Sequence, residues 1–161
     1  MSTPVAHLWR PSDSRIAVLD AFVPVPRGST ISAPPPLNWA AKDPRDTLDY
    51  QFDIRPAIIG NDGDSISSVD VTIAPDIAGG LTIDSSIADG SRVVLWLSGG
   101  ASNTVYTVTL SIRTSSGRAI QRSVLLPVLS LSTAGVPANA IQIDGGLMLT
   151  DQNGNPVLAV S

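Results

Sequence analysis

The chain has no cysteine and no glutamate, one histidine and one lysine. Without cysteine there is no disulfide framework, thiolate nucleophile or zinc–thiolate site, and cysteine usage leaves the redox compartment undetermined. The lack of glutamate, with Lys42 the sole lysine, removes two of the straight-chain residues that helices favour. Charged residues make up 15% of the chain, against a usual share of about 25%, so its surface is sparsely charged and suited to contacts. A net charge of -4, with arginines scattered and no basic cluster, leaves no electrostatic footprint for nucleic acid or an anionic membrane. No stretch approaches the roughly 18 apolar residues of a membrane span. The first residues lack the charged lead and apolar run of a signal peptide, so the expected product is made and kept in water.

What is present favours strands. The 161 residues allow one domain with appendages, and a hydrophobic fraction of 43% is normal for a packed core. Valine, isoleucine, threonine and serine fill the middle of the chain, as pleated strands and turns prefer.

Residues 1–37 carry Pro4, Pro11, Pro24, Pro26 and Pro34-Pro35-Pro36, which remove backbone donors and hold their predecessors extended. They read as an arm. Its apolar runs Ile16–Leu19 and Phe22-Val23 need a surface, and two remain open: a neighbouring subunit or the chain's own domain.

Residues 38–130 become periodic. Leu48, Tyr50, Phe52 and Ile54 alternate with Asp49, Gln51, Asp53 and Arg55, which predicts a strand with one wet face. After the Gly60–Asp64 loop, Val69, Val71 and Ile73 mark a second strand, and Leu81–Ile83 a short third. Arg92–Ser98 has apolar residues at both parities and reads as a central strand with Trp96 in the core. Thr104–Thr114 alternates strictly through Tyr106, Val108, Leu110 and Ile112, turns at Ser115-Ser116-Gly117, and returns from Arg118 to about Leu129. Short strands at this spacing predict an all-β fold, an immunoglobulin-like antiparallel β-sandwich. Tyr106 stands where such domains place their corner tyrosine, with Val108 two residues on. Tyr50, Trp96, Tyr106 and Val108 are the expected core markers. Residues 131–161 contain Ile141–Ile143, Leu147–Leu149 and Val157–Val160 between Gly and Asn turns, a C-terminal β-hairpin extension too small to stand alone.

Chemistry finds little purchase. His7, the only histidine, lies in the arm with nothing to orient a nucleophilic relay. Lys42 sits among charges, where its ammonium is expected to be solvated and protonated. Asp62 with Asp64, and Asp151 with Asn153 and Asn155, resemble calcium-loop fragments, but the spacing is nonspecific and turn formation explains both. Asp49 with Asp53 could form a glycosidase pair only beside a larger aromatic cleft than this composition supplies. The expectation is a protein that is not an enzyme and has neither metal nor cofactor.

Several segments together carry a family pattern. They are Trp39, Lys42-Asp43-Pro44, Asp46, Leu48-Asp49-Tyr50 and Asp53, then Asp64 and Ile66, Trp96-Leu97-Ser98-Gly99-Gly100, Tyr106 with Val108, and Gly117-Arg118 with Arg122-Ser123. In order and spacing, Pro35 to Leu129 resembles the tailed-bacteriophage fibre-tail adaptor proteins. The resemblance implies a small β-rich virion component, made in the host bacterial cytoplasm, that joins receptor-binding fibres to the tail without catalysis. Its implied partners are a phage tail protein, a tail fibre and further copies of itself in a ring or collar, with neither nucleic acid nor membrane. Trp39, Asp43, Asp46, Asp49, Arg118 and Arg122 are the candidate interface or structural motif. The aspartates are expected to bond backbone donors or to pair with Arg118 and Arg122. The competing reading is an immunoglobulin-like capsid decoration or adhesin module that binds the head surface or host glycans.

Overall fold

A computed structural model describes residues 11–21, 27–28, 34–59, 63–132, 140–143, 147–153 and 155–159. The chain divides into two units, Met1–Leu131 and Ser132–Ser161.

Two four-stranded sheets build the first unit. One has the order β1 (Ile16–Val18), β3 (Leu48–Asp53), β6 (Arg92–Gly99), β5 (Leu81–Asp89). The other runs β2 (Leu37–Asn38), β8 (Ala119–Val128), β7 (Thr104–Thr114), β4 (Ile66–Ala74). A short helix, α1 (Arg55–Ile58), follows β3 with Pro56 in its first turn, where a missing N–H costs nothing. Tyr50, Phe52, Val93, Leu95 and Leu97 of the first sheet share one core cluster with Val108, Leu110, Ile112, Val124 and Leu126 of the second. The fold is all-β.

Periodicity explains the core. In β7 the residues Tyr106, Val108, Leu110 and Ile112 are buried, while Val105 and Arg113 are exposed. The antiparallel pairing expected from sequence holds for β3–β6, β5–β6, β4–β7 and β7–β8. Both sheets are nevertheless mixed, because β1 runs parallel to β3 and β2 parallel to β8. These added strands come from the proline-rich segment, whose described residues 16–19 pack in cis: Ala17 and Leu19 are buried and Leu19 N donates to Asp53 O at 2.8 Å. Of the two surfaces left open for Ile16–Leu19, the chain's own domain is the one used. Phe22-Val23 lies outside the described residues.

Three expectations need correction. Trp96 is not a core residue. Pairing sets Val93 and Leu95 of β6 opposite Phe52 and Tyr50, so Trp96 falls on the other face opposite Asp49, 37% exposed. The face of β3 carrying Gln51 and Asp53 is not wet, since both are only 4% exposed; Gln51 lies in register between Ile16 and Val94. Finally, β5 continues from Leu81 to Asp89. Its second half is an exposed edge, so no apolar alternation announces it in the sequence.

The second unit contains the antiparallel pair β9 (Gln142–Ile143) and β10 (Leu147–Met148), with bridges Ala140–Leu158 and Thr150–Pro156.

Candidate functional site: the frame around Lys42

After β2 the backbone keeps running beside β8. Trp39 N donates to Leu125 O at 2.9 Å, Lys42 N to Pro127 O at 3.0 Å, and Leu129 N returns a bond to Lys42 O at 2.9 Å. Trp39 is thereby driven inward, with ring centroids 4.8 Å from Tyr50 and 4.9 Å from Phe52.

Lys42 is fully buried, against the expectation of a solvated ammonium. Its Nζ donates to Gly99 O at 2.6 Å and to Asp43 O at 2.8 Å. Burial lowers its pKa from the usual 10.5, with Asp46, Asp43 and Asp84 pulling the other way. An ammonium taken from water costs several kcal/mol unless donors are matched, on the order of the whole gain from one buried aliphatic side chain, so the two carbonyls decide whether the site is tolerable. Sequence reading missed this burial because a lysine among aspartates looks solvated; only the approach of Gly99 from 57 residues away reverses that.

The next residues form a tight turn. Asp46 N donates to Asp43 O at 3.0 Å, Asp43 N to Asp46 Oδ2 at 3.1 Å and Arg45 N to Asp43 Oδ1 at 3.0 Å. Pro44 supplies the φ that the turn needs. Asp43 Oδ2 also accepts from Leu131 N at 2.8 Å, so one buried carboxylate ties the turn to the chain leaving β8.

On the Gly99 side the backbone is left-handed, with φ of 70° at Gly99 and 104° at Gly100. A Cβ on Gly100 would meet Val128 Cγ2 at 2.9 Å, so both space and φ require glycine. Tyr106 Oη accepts from Ala101 N at 2.9 Å and fixes the end of this turn.

Of the two roles expected for the motif aspartates, Asp43 and Asp46 take the first and accept from backbone donors, while pairing with Arg118 or Arg122 is not among the bonds seen. Asp49 takes Arg15, whose Nη2 reaches Oδ1 at 3.0 Å and whose Nε reaches the Asp49 carbonyl at 2.9 Å. Arg122 forks onto Asp20, Nε and Nη2 each at 3.0 Å, joining β8 to the turn that follows β1. Arg118 bonds Asp64. The Asp64 oxygens also accept Ser65 N, Ser115 Oγ and Ser116 N. Burial disfavours the charged form of Asp64, but bonds from Ser116, Thr114 and Arg118 outweigh it and hold the carboxyl well below the usual range. The physical reason for the changed partners is strand register, which sets Arg118 and Arg122 beside loops remote in sequence.

Asp64 has its oxygens taken by protein donors, and Asp151 Oδ1 caps Asn153 N and Asn155 N at 2.8 and 2.9 Å as a turn. Asp62 and His7 lie outside the described residues. No group of three or more His, Cys, Asp or Glu among the described residues could hold a metal ion. Asp53 feels burial that raises its pKa, yet the Arg55 hydrogen bonds prevail and lower it, the wrong direction for a general acid. No helix among the described residues is long and apolar enough to cross a membrane.

The first unit is thus an all-β body whose turns are tied together through Lys42, Asp43 and Tyr106. The podophage GP4 fiber-tail adaptor protein gp77 family model matches residues 42–127, more than half of the 161-residue chain. The chain belongs to this family of structural phage adaptors. No curated protein matches it.

Proposed function

We propose that this chain is a virion connector that joins tail fibres to the tail of a podophage, with an immunoglobulin-like sandwich as its body. One observation carries the reading. Lys42 and Pro127, the two ends of the family match, are hydrogen-bonded neighbours at 3.0 Å. The matched segment closes on itself as a framed unit, and the chain leaving β8 is held at the same end, where Asp43 Oδ2 accepts from Leu131 N. A closed body with further chain on either side of it suits a part that must grip two neighbours.

The bond from Ala101 N to Tyr106 Oη supports the immunoglobulin-like assignment, because a corner tyrosine bonding backbone a few residues upstream is a feature of that architecture. Trp39, Asp43, Asp46 and Asp49 then serve as frame residues, as do Arg118 and Arg122, and none handles a substrate. The adaptor acts as a homo-oligomeric ring or collar in the virion tail. The proline-rich arm and C-terminal hairpins supply contact area towards tail and fibre proteins, beyond the short stretches that pack in cis.

Co-expression with the fibre gene encoded nearby, followed by size-exclusion chromatography with light scattering, tests this reading. An oligomer that captures fibre or tail protein is expected. A compact monomer that ignores both sinks it.

A further inference from the structure

On the outer face of the β4–β7–β8 sheet, two cross-strand rows lie side by side. Register sets Ser68, Arg113 and Ala119 in one row and Asp70, Ser111 and Gln121 in the next. Arg113 stands on the central strand between the small Ser68 and Ala119, and the small Ser111 lies between Asp70 and Gln121. The result is a depression of about 420 Å³, within the size range of small-ligand sites. Two strand spacings and one side-chain repeat make it about 10 Å by 7 Å, the scale of one sugar ring.

Its polar groups are unspent. Arg15, Arg55, Arg92, Arg118 and Arg122 each hold a carboxylate. Neither Arg113 nor Asp70 has an ion-pair partner among the described residues. The hydroxyls of Ser68 and Ser111 and the Gln121 amide likewise make no bond to them, whereas Thr109 and Ser123, further along the same strands, bond each other at 2.8 Å.

We infer that this depression binds a carboxylated saccharide of the uronic-acid kind. Arg113 takes its carboxylate through the guanidinium fork, and Asp70, Ser68, Ser111 and Gln121 take its ring hydroxyls. The mixture of groups selects this chemistry. A run of carboxylates, as in an acidic peptide, would bring charge against Asp70, whereas one carboxylate among neutral hydroxyls satisfies both walls. The site lies away from the Lys42 frame, so it stands or falls independently of the connector reading.

Titration calorimetry of the full chain with oligogalacturonate, a neutral glucose oligomer and a glutamate hexapeptide tests the inference. Oligogalacturonate is expected to bind saturably, and Arg113→Ala to weaken it by about tenfold or more. Asp70→Ala should weaken it by several fold. Both side chains are exposed, so thermal unfolding of these variants should match the parent. No saturable binding of oligogalacturonate overturns the proposal, as does unchanged affinity in Arg113→Ala. Equal binding of the glutamate peptide overturns it too, by assigning the site to charge alone and thus to a protein partner.

Discussion

Lys42 Nζ lies 2.6 Å from Gly99 O, joining the Lys42-Asp43-Pro44 segment to the Gly99-Gly100 turn through one buried ammonium. The bond explains why a lysine stands beside Asp43-Pro44 and why a glycine pair follows Trp96-Leu97-Ser98. Each segment supplies half of a single fastening.

Removing the fastening should be costly. Lys42→Ala strands two carbonyls and leaves a cavity, a loss of about 2–4 kcal/mol. Lys42→Met keeps the aliphatic stem and should lose less than Lys42→Ala. Urea unfolding midpoints of the three proteins give the order directly, and equal losses would mean that the stem contributes nothing.

Gly100→Ala should cost about 2–4 kcal/mol, because the added methyl meets Val128 Cγ2 at 2.9 Å while φ stays at 104°. Gly117→Ala is the control. It shares a positive φ of 89° but has open space around its Cβ, so its loss in calorimetric melting should be the smaller.

Tyr50 governs the alkaline limb. Burial pushes its hydroxyl from 10.0 up to about 12, with Arg15 opposing and Asp46 and Asp49 adding to the shift. The folded chain keeps a proton that the unfolded chain releases, so this stability is complete below pH 10 and lost as pH rises towards about 12. The Tyr50 hydroxyl has no hydrogen-bond partner among the described residues. Tyr50→Phe should therefore match or exceed the parent at neutral pH and fall less steeply above pH 10. A steeper fall in the variant would refute the assignment.

Asp64 governs the acid limb. Its carboxyl is held below the ordinary 3.8, so its contribution is present above that pH and lost as pH falls beneath it. Asp64→Asn should lower the urea midpoint at pH 7, and its gap from the parent should narrow in acid. A gap independent of pH would exclude the charge as its cause.

Trp39 and Trp96 should behave oppositely. Trp39→Ala empties a core position that is 2% exposed and should cost about 3–5 kcal/mol. Trp96→Ser changes a partly exposed face and should cost under about 1 kcal/mol. Acrylamide quenching of each single-tryptophan protein provides a second check: Trp96 should be quenched readily and Trp39 hardly at all.

By itself the sequence determined the all-β class, the alternation that buries Tyr106, Val108, Leu110 and Ile112, the glycine turns and the family pattern. These follow from local rules, since side chains alternate along a strand and glycine is the residue that most readily takes a left-handed turn. Only tertiary structure decided that Lys42 is buried, that Trp96 faces outward, that Ile16–Val18 adds a parallel strand beside β3, and that Arg118 and Arg122 take Asp64 and Asp20 in place of the motif aspartates. Each depends on which strands become neighbours and in what register, and a shift of one residue in register exchanges the two faces of a strand. Gly99 meets Lys42 across 57 residues of chain, and no local pattern at either end encodes that meeting.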